Sequence, residues 1–141
     1  MTIYLHAQGA LVFPPSLEHD AFLADNGERG WTRAQIPLVV NVLCSQRVGI
    51  LGGELWWVRD GHQRLEWLLP QRHGPPGVYS GETKRRFGEP WEDFVQRGAS
   101  DAVAAVERWP GPEDLPHDLP GRILYNLSCV SEFEDRIRGS V

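Results

Sequence analysis

The chain has 141 residues, 41% hydrophobic and 23% charged, with a formal net charge of −5. That is the size and composition of a single globular domain, expected to span 1–141. No apolar run approaches the roughly 18 residues of a membrane-spanning helix, and the opening MTIYLHAQGALVF lacks a basic signal-peptide start, so a cytoplasmic protein is expected.

Thr2 to Phe13 reads as a strand, with Ile3 and Leu5 on one face and Tyr4 and His6 on the other; Pro14-Pro15 ends it. Ser16 suits an N-cap, and LEHDAFLAD follows as a short helix lined by Leu17, Ala21 and Ala24, stopped at Asn26-Gly27. Residues 32–49 read as a second helix. Thr32 and Gln35 have capping-box spacing, and Ile36, Val39, Val40 and Leu43 recur at helical spacing. Pro37 removes a backbone donor, so the helix starts near it or kinks there; the β-branched residues leave a buried strand open. Gly49 is the expected stop.

Residues 54–59 and 62–69 form the clearest hairpin, with Asp60-Gly61 as a two-residue type I′ loop. Leu55 and Trp57 share one face; Glu54, Trp56 and Val58 share the other. Leu65, Trp67 and Leu69 align on the second strand, and Leu55, Trp57 and Trp67 are the expected core. Residues 70–90, rich in proline and glycine around KRR, read as a long loop with a short strand at Val78–Tyr79. The best helix is 90–109. Pro90 suits its first turn and Glu92 and Asp93 its positive end. Trp91, Phe94, Val95, Gly98, Ala102, Ala105, Val106 and Trp109 form one stripe, with Gly98 marking a close backbone approach. A proline-rich acidic connection over 110–121 leads to RILYNLSCVS, a buried strand. Ser131 and Glu134 then have capping-box spacing for a terminal helix carrying Phe133 and Ile137. This order favours α+β, with a mainly antiparallel sheet of about four to five strands and helices packed on one face.

The sequence carries no catalytic signature. GILGGELW lacks the phosphate-loop lysine and does not match GxGxxG; its glycines read as a helix-to-strand turn. GxSxG, HExxH, the zinc-deaminase pattern and the EF-hand loop are all absent. His6, His19, His62, His73 and His117 are dispersed, so no metal site and no cofactor are expected. Cys44 and Cys129 lie in apolar surroundings and read as buried free thiols, not a disulfide or a nucleophile. Glu54 and Glu66 are the one carboxylate pair that could share a hairpin face, an alternative reading as a small enzyme acting on a sugar or other polar ligand.

Charge points elsewhere. Residues 1–88 hold nine basic and eight acidic side chains, whereas 89–141 hold five basic and eleven acidic. That balance disfavours direct nucleic-acid binding and suits a partner with a basic surface. Tryptophan and arginine, both abundant here, are enriched at interface hot spots. The candidate partner-binding residues are Glu54, Trp56, Glu89, Glu92, Asp93, Asp101, Glu113, Asp114 and Asp118, with Glu107 beside them. Trp56 serves a partner only if its sheet face is bare.

Through GGELWWV, GEPWEDFV and LYNLSCVSE, across about residues 50–135, the chain resembles the small acidic immunity proteins that accompany bacterial polymorphic or contact-delivered toxins. The resemblance implies stoichiometric occlusion of a cognate toxin, a nuclease being one that would offer a basic cleft. It implies no catalytic residue, no cofactor and no membrane partner. A homodimer is left open, as is a structural role in a phage or secretion system.

Overall fold

One strand, Gly49–Arg59, organises the molecule, because each strand of the main sheet pairs with it. The computed structural model describes residues 19, 21–24, 27–59 and 64–139, with backbone only at 64, 65 and 137–139. In chain order these form β1 (Phe22–Leu23), β2 (Arg29–Gly30), α1 (Ile36–Ser45), β3 (Gly49–Arg59), β4 (Arg64–Glu66), β5 (Ser80–Glu82), α2 (Trp91–Arg108), a 3₁₀ turn (Pro112–Asp114), β6 (Arg122–Val130) and α3 (Glu132–Gly139). The class is α+β and all strand pairing is antiparallel.

β6 runs along one edge of β3 from Gly49 to Val58. β5 pairs with Gly52–Glu54 and β4 with Trp57–Arg59, so both occupy the other edge. Among the described residues the main sheet has four strands but is only three wide at any level, narrower than the expected four to five. β1 and β2 make a separate ribbon, tied to β6 by a bridge between Trp31 and Tyr125 with N–H···O distances of 2.9 and 2.8 Å.

α1 and α2 pack on one face of the sheet. Ile36, Val39, Val40 and Leu43 of α1 and Ala99, Ala102 and Val106 of α2 bury Leu55, Trp57, Ile123, Tyr125 and Leu127. The ridge of α2 descends so far that a Cβ at Gly98 would stand 2.6 Å from the Ile50 carbonyl oxygen. Gly98 thus marks the close approach its place in the stripe implied. The second face is covered only in part. Phe22 and Ala24 of the ribbon bury Trp56, Val58 and Leu124 there, and Asn126 Nδ2 donates to the Arg29 carbonyl at 2.8 Å.

Several local expectations change. Phe22–Leu23 is strand where a helix was expected. Gly27, at φ +88°, accompanies a hairpin connection, since a left-handed glycine serves a tight turn as well as a helix end. The strand over 2–13 and Ser16 lie outside the described residues. α1 begins at Ile36 with Pro37 in its first turn, where no helical hydrogen bond is lost. It ends at Ser45, and Arg47, not Gly49, supplies the left-handed stop. Arg47 is left-handed at φ +59°, Val48 N–H donates to Leu43 O and Arg47 N–H to Cys44 O, a Schellman closure. GILGGELW is strand throughout, not a turn. The chain absorbs its glycines as a bulge against β6 between Ile50 and Gly52, where a Cβ on Gly52 would lie 2.0 Å from the Gly81 carbonyl.

Arg59 lies opposite Arg64, whereas a two-residue loop at Asp60-Gly61 would set it opposite His62; residues 60–63 themselves lie outside the described residues. β4 stops at Glu66, and Trp67 leaves the sheet, 51% exposed, instead of joining the core. The short strand expected at Val78–Tyr79 forms at Ser80–Glu82. The terminal capping box forms as read: Ser131 Oγ accepts from Glu134 N–H at 3.0 Å and Glu134 Oε1 from Ser131 N–H at 3.3 Å, while Phe133 stays exposed.

Candidate functional site

Two surface features stand out against this frame. The first is a lobe from Trp67 to Val78. Its neck is an antiparallel bridge in which Leu69 N–H donates to Gly77 O at 2.8 Å and Gly77 N–H to Leu69 O at 3.1 Å. Leu69 is wholly buried and anchors it. Pro70, Pro75 and Pro76 restrict its backbone, and Gln71 Nε2 donates across it to Pro75 O at 2.9 Å. Arg72 braces it against the acidic connection: its N–H donates to Asp114 O at 2.8 Å, and its guanidinium lies 3.2 Å from His117 Nδ1. The bridge sets Leu68 opposite Val78 one step beyond Leu69 and Gly77. Trp67, Leu68 and Val78 are each more than half exposed. The lobe is thus a braced element presenting apolar side chains to solvent.

The second feature is a groove of about 1060 Å³ on the open part of the second sheet face. Gly52, Glu54 and Ser128 line the sheet, Ser80 and Glu82 line the β5 edge, and Lys84 to Gly88 form a wall facing Asp135 of α3. That wall is held by arginines. Arg97 donates from Nε and Nη2 to the Glu89 carboxylate at 2.9 and 2.7 Å, and from Nη2 to Lys84 O at 2.6 Å. Arg85 donates to Glu89 O and to Asp135 at 2.7 and 2.8 Å. The Arg97 hydrogen bonds, helped by the Arg86 N–H, hold the Glu89 carboxyl well below the usual carboxylate range, at about 2.

The expected acidic surface resolves into separate internal contacts. Glu89 is committed to Arg97, Glu92 pairs with Arg47, and Asp101 accepts from Thr83 Oγ1 at 3.1 Å. Asp114 accepts from Gly111 N–H at 2.8 Å, closing the 3₁₀ turn, and Glu113 lies 3.5 Å from Arg33. Asp93, Glu107 and Asp118 are exposed. Glu113, Asp114 and Asp118 lie on the connection that Arg72 of the lobe contacts at Asp114 O and His117, whereas Glu92 and Asp93 start α2. Trp56 is corrected outright: at 0% exposure, edge-on to Phe22, with its indole N–H 2.8 Å from Glu54 Oε1, it offers a partner no surface.

The Glu54/Glu66 pairing is also corrected. Glu66 lies opposite Trp57 and so shares the helix-packed face, whereas Glu54 lies opposite Asn126 on the second face. Two carboxylates on opposite sides of one sheet cannot flank a single bond. Burial pushes the Cys129 thiol up to about 12, so at neutral pH it is a protonated core side chain rather than a nucleophile. Among the described residues, no group of three or more His, Cys, Asp or Glu side chains is placed to hold a metal, and no helix is long and apolar enough to cross a membrane.

Compared with known proteins, the chain matches no family model, no curated protein and no solved structure. The surface residues missed from sequence are Trp67, Leu68, Val78 and Phe87. The available signal was the cluster of prolines after Leu69, which stops a strand and turns alternating apolar residues outward.

Proposed function

We propose that the chain is an immunity-type protein, acting in the cytoplasm, that binds a cognate bacterial toxin and neutralises it by stoichiometric occlusion. The observation that carries this reading is the braced lobe: Trp67, Leu68 and Val78 are exposed on an element that Arg72 ties, at Asp114 O and His117, to the connection bearing the exposed Glu113 and Asp118. A tryptophan held on a rigid element is the usual centre of an interface hot spot, because little conformational freedom remains to be lost on binding. Exposed acids on the adjoining connection suit a basic partner surface, steering the encounter and setting its salt dependence. A nuclease would offer such a surface in its nucleic-acid cleft. The separation of Glu54 from Glu66 leaves the enzyme alternative without its carboxylate pair.

The test is protection in cells. The product of the neighbouring gene is induced with and without this chain, and the two proteins are then purified together. The expected result is restored growth and a one-to-one complex, with both lost on Trp67→Asp. Reversing Asp93, Glu113 and Asp118 to lysine should weaken the complex and flatten its salt dependence. No protection together with no complex would overturn the reading.

A further inference from the structure

We infer that the face carrying the groove is a self-complementary surface through which two copies of this chain form a two-fold dimer. The knob is Phe87. It sits at the apex of a β-turn closed by Glu89 N–H donating to Arg86 O at 3.0 Å, with Gly88 at φ +75° supplying the left-handed third position. Its relative exposure is 108%, so it has no packing role within the chain. The turn nevertheless does not hang free. Arg97 on Glu89 and Lys84 O, and Arg85 on Glu89 O and Asp135, fix both of its ends. A pre-organised turn that presents a bare phenyl ring is built to contact something outside its own chain.

The hole lies beside it. The groove runs along the second sheet face from Gly52 and Glu54 to Ser80 and Glu82, and Phe87 stands on its rim. A cavity of about 150 Å³ is enough to take a benzene ring, so a groove of about 1060 Å³ has room for Phe87 and the side chains next to it. Charge matches in the same sense. The knob is flanked by the exposed cations Lys84 and Arg86, and the groove holds Glu54 and Glu82. Arg85 and Asp135, the remaining charges here, are paired to each other. Lys84 also lies 3.5 Å from Glu82 of its own chain, but both are exposed and such a pair is easily exchanged.

Knob and hole adjacent on one surface, with opposite charge, meet the requirement of an isologous contact: the knob of each copy enters the groove of the other. A different protein would need to supply both a matching hole and a matching knob; a second copy has both. The lobe from Trp67 to Val78 takes no part, so this inference stands or falls separately from the proposed function.

Light scattering on the full chain across a dilution series tests it. The expected mass at high concentration is twice the 15.9 kDa of one chain. Phe87→Asp removes the knob, and Ser80→Trp fills the groove at an exposed position. Each is expected to raise the dimer dissociation constant by on the order of 30-fold or more, as loss of a hot-spot contact does, with an unchanged circular dichroism spectrum. Mixing the two variants should then produce a heterodimer weaker than the wild-type dimer, because the intact knob of one still meets the intact groove of the other. A wild-type chain that stays at one-chain mass throughout, a Phe87→Asp dimer of undiminished strength, or a mixture that remains monomeric would each overturn the dimer.

Discussion

Trp56 and Trp67 sit in similar sequence, apolar residues alternating with charged ones, yet one is wholly buried and the other half exposed. Their surroundings differ in what the rest of the chain places over them. At Trp56 the ribbon of β1 and β2 crosses the second sheet face, bringing Phe22 edge-on to the indole with ring centroids 6.3 Å apart. At Trp67 the sheet has already ended at Glu66, and the indole is left half exposed although Leu69 of the same lobe joins the core. Alternation fixes which face a strand residue points to. It carries no information about whether that face is later covered.

The two tryptophans therefore predict opposite mutational outcomes. Trp56→Ala should cost about 3–5 kcal/mol, the range for truncating a buried aromatic where the surroundings relax only in part. It also strands Glu54 without its indole donor. Urea denaturation measures this. A loss below about 1 kcal/mol would mean that the ribbon does not hold the second face closed.

Gly98→Ala is the next largest effect and has a counter-intuitive sign. Helix propensity alone favours alanine by about 1 kcal/mol. The added methyl, however, would meet the Ile50 carbonyl at 2.6 Å, a backbone atom of the central strand that cannot swing away. Overpacking of this kind costs about 1–3 kcal/mol, so net destabilisation is expected. A stabilised variant would show that α2 can lift from β3.

A smaller effect probes the turn that carries Phe87. Glu89 is lowered from 4.5 to about 2 in the folded chain. The unfolded chain therefore takes up this proton first as pH falls. The stability contributed by Glu89 is fully present above about pH 4.5 and is lost progressively between about 4.5 and 2. The difference in urea midpoint between wild type and Glu89→Gln should shrink across that window. A difference that stays constant from neutral pH to pH 2 would show that Arg97 does not hold the turn through this carboxylate.

The sequence made α2 and β6 legible almost residue for residue, because both carry long apolar patterns and strong boundary residues. Pro90 opens α2, Pro110 follows its end, and Gly98 declared a close approach. The β3–β4 hairpin was legible in type but not in extent. Gly52 and Gly53 resembled a turn because only the crossing of β5 and β6 reveals a bulged strand that needs glycine. The candidate acids were the least legible part. Glu89, Glu92 and Asp101 look like free surface charge in the sequence. Arg97, Arg47 and Thr83, which occupy them, come from other segments brought close only by folding.

The smallest expected stability change separates surface function from folding most sharply. Trp67→Ala should alter the urea midpoint by no more than the equivalent of about 0.5 kcal/mol, as for a surface position outside the packing. Leu69, wholly buried beneath it, keeps the lobe anchored through the Gly77 bridge. Binding should respond very differently. Truncating a central aromatic removes about 2 kcal/mol or more of association free energy, roughly 30-fold in affinity. A variant that unfolds as easily as Trp56→Ala would place Trp67 in the core after all. One that folds normally and binds the partner with undiminished affinity would move the interface off the lobe, leaving the exposed acids at Asp93 and Glu107 as the surface to test next.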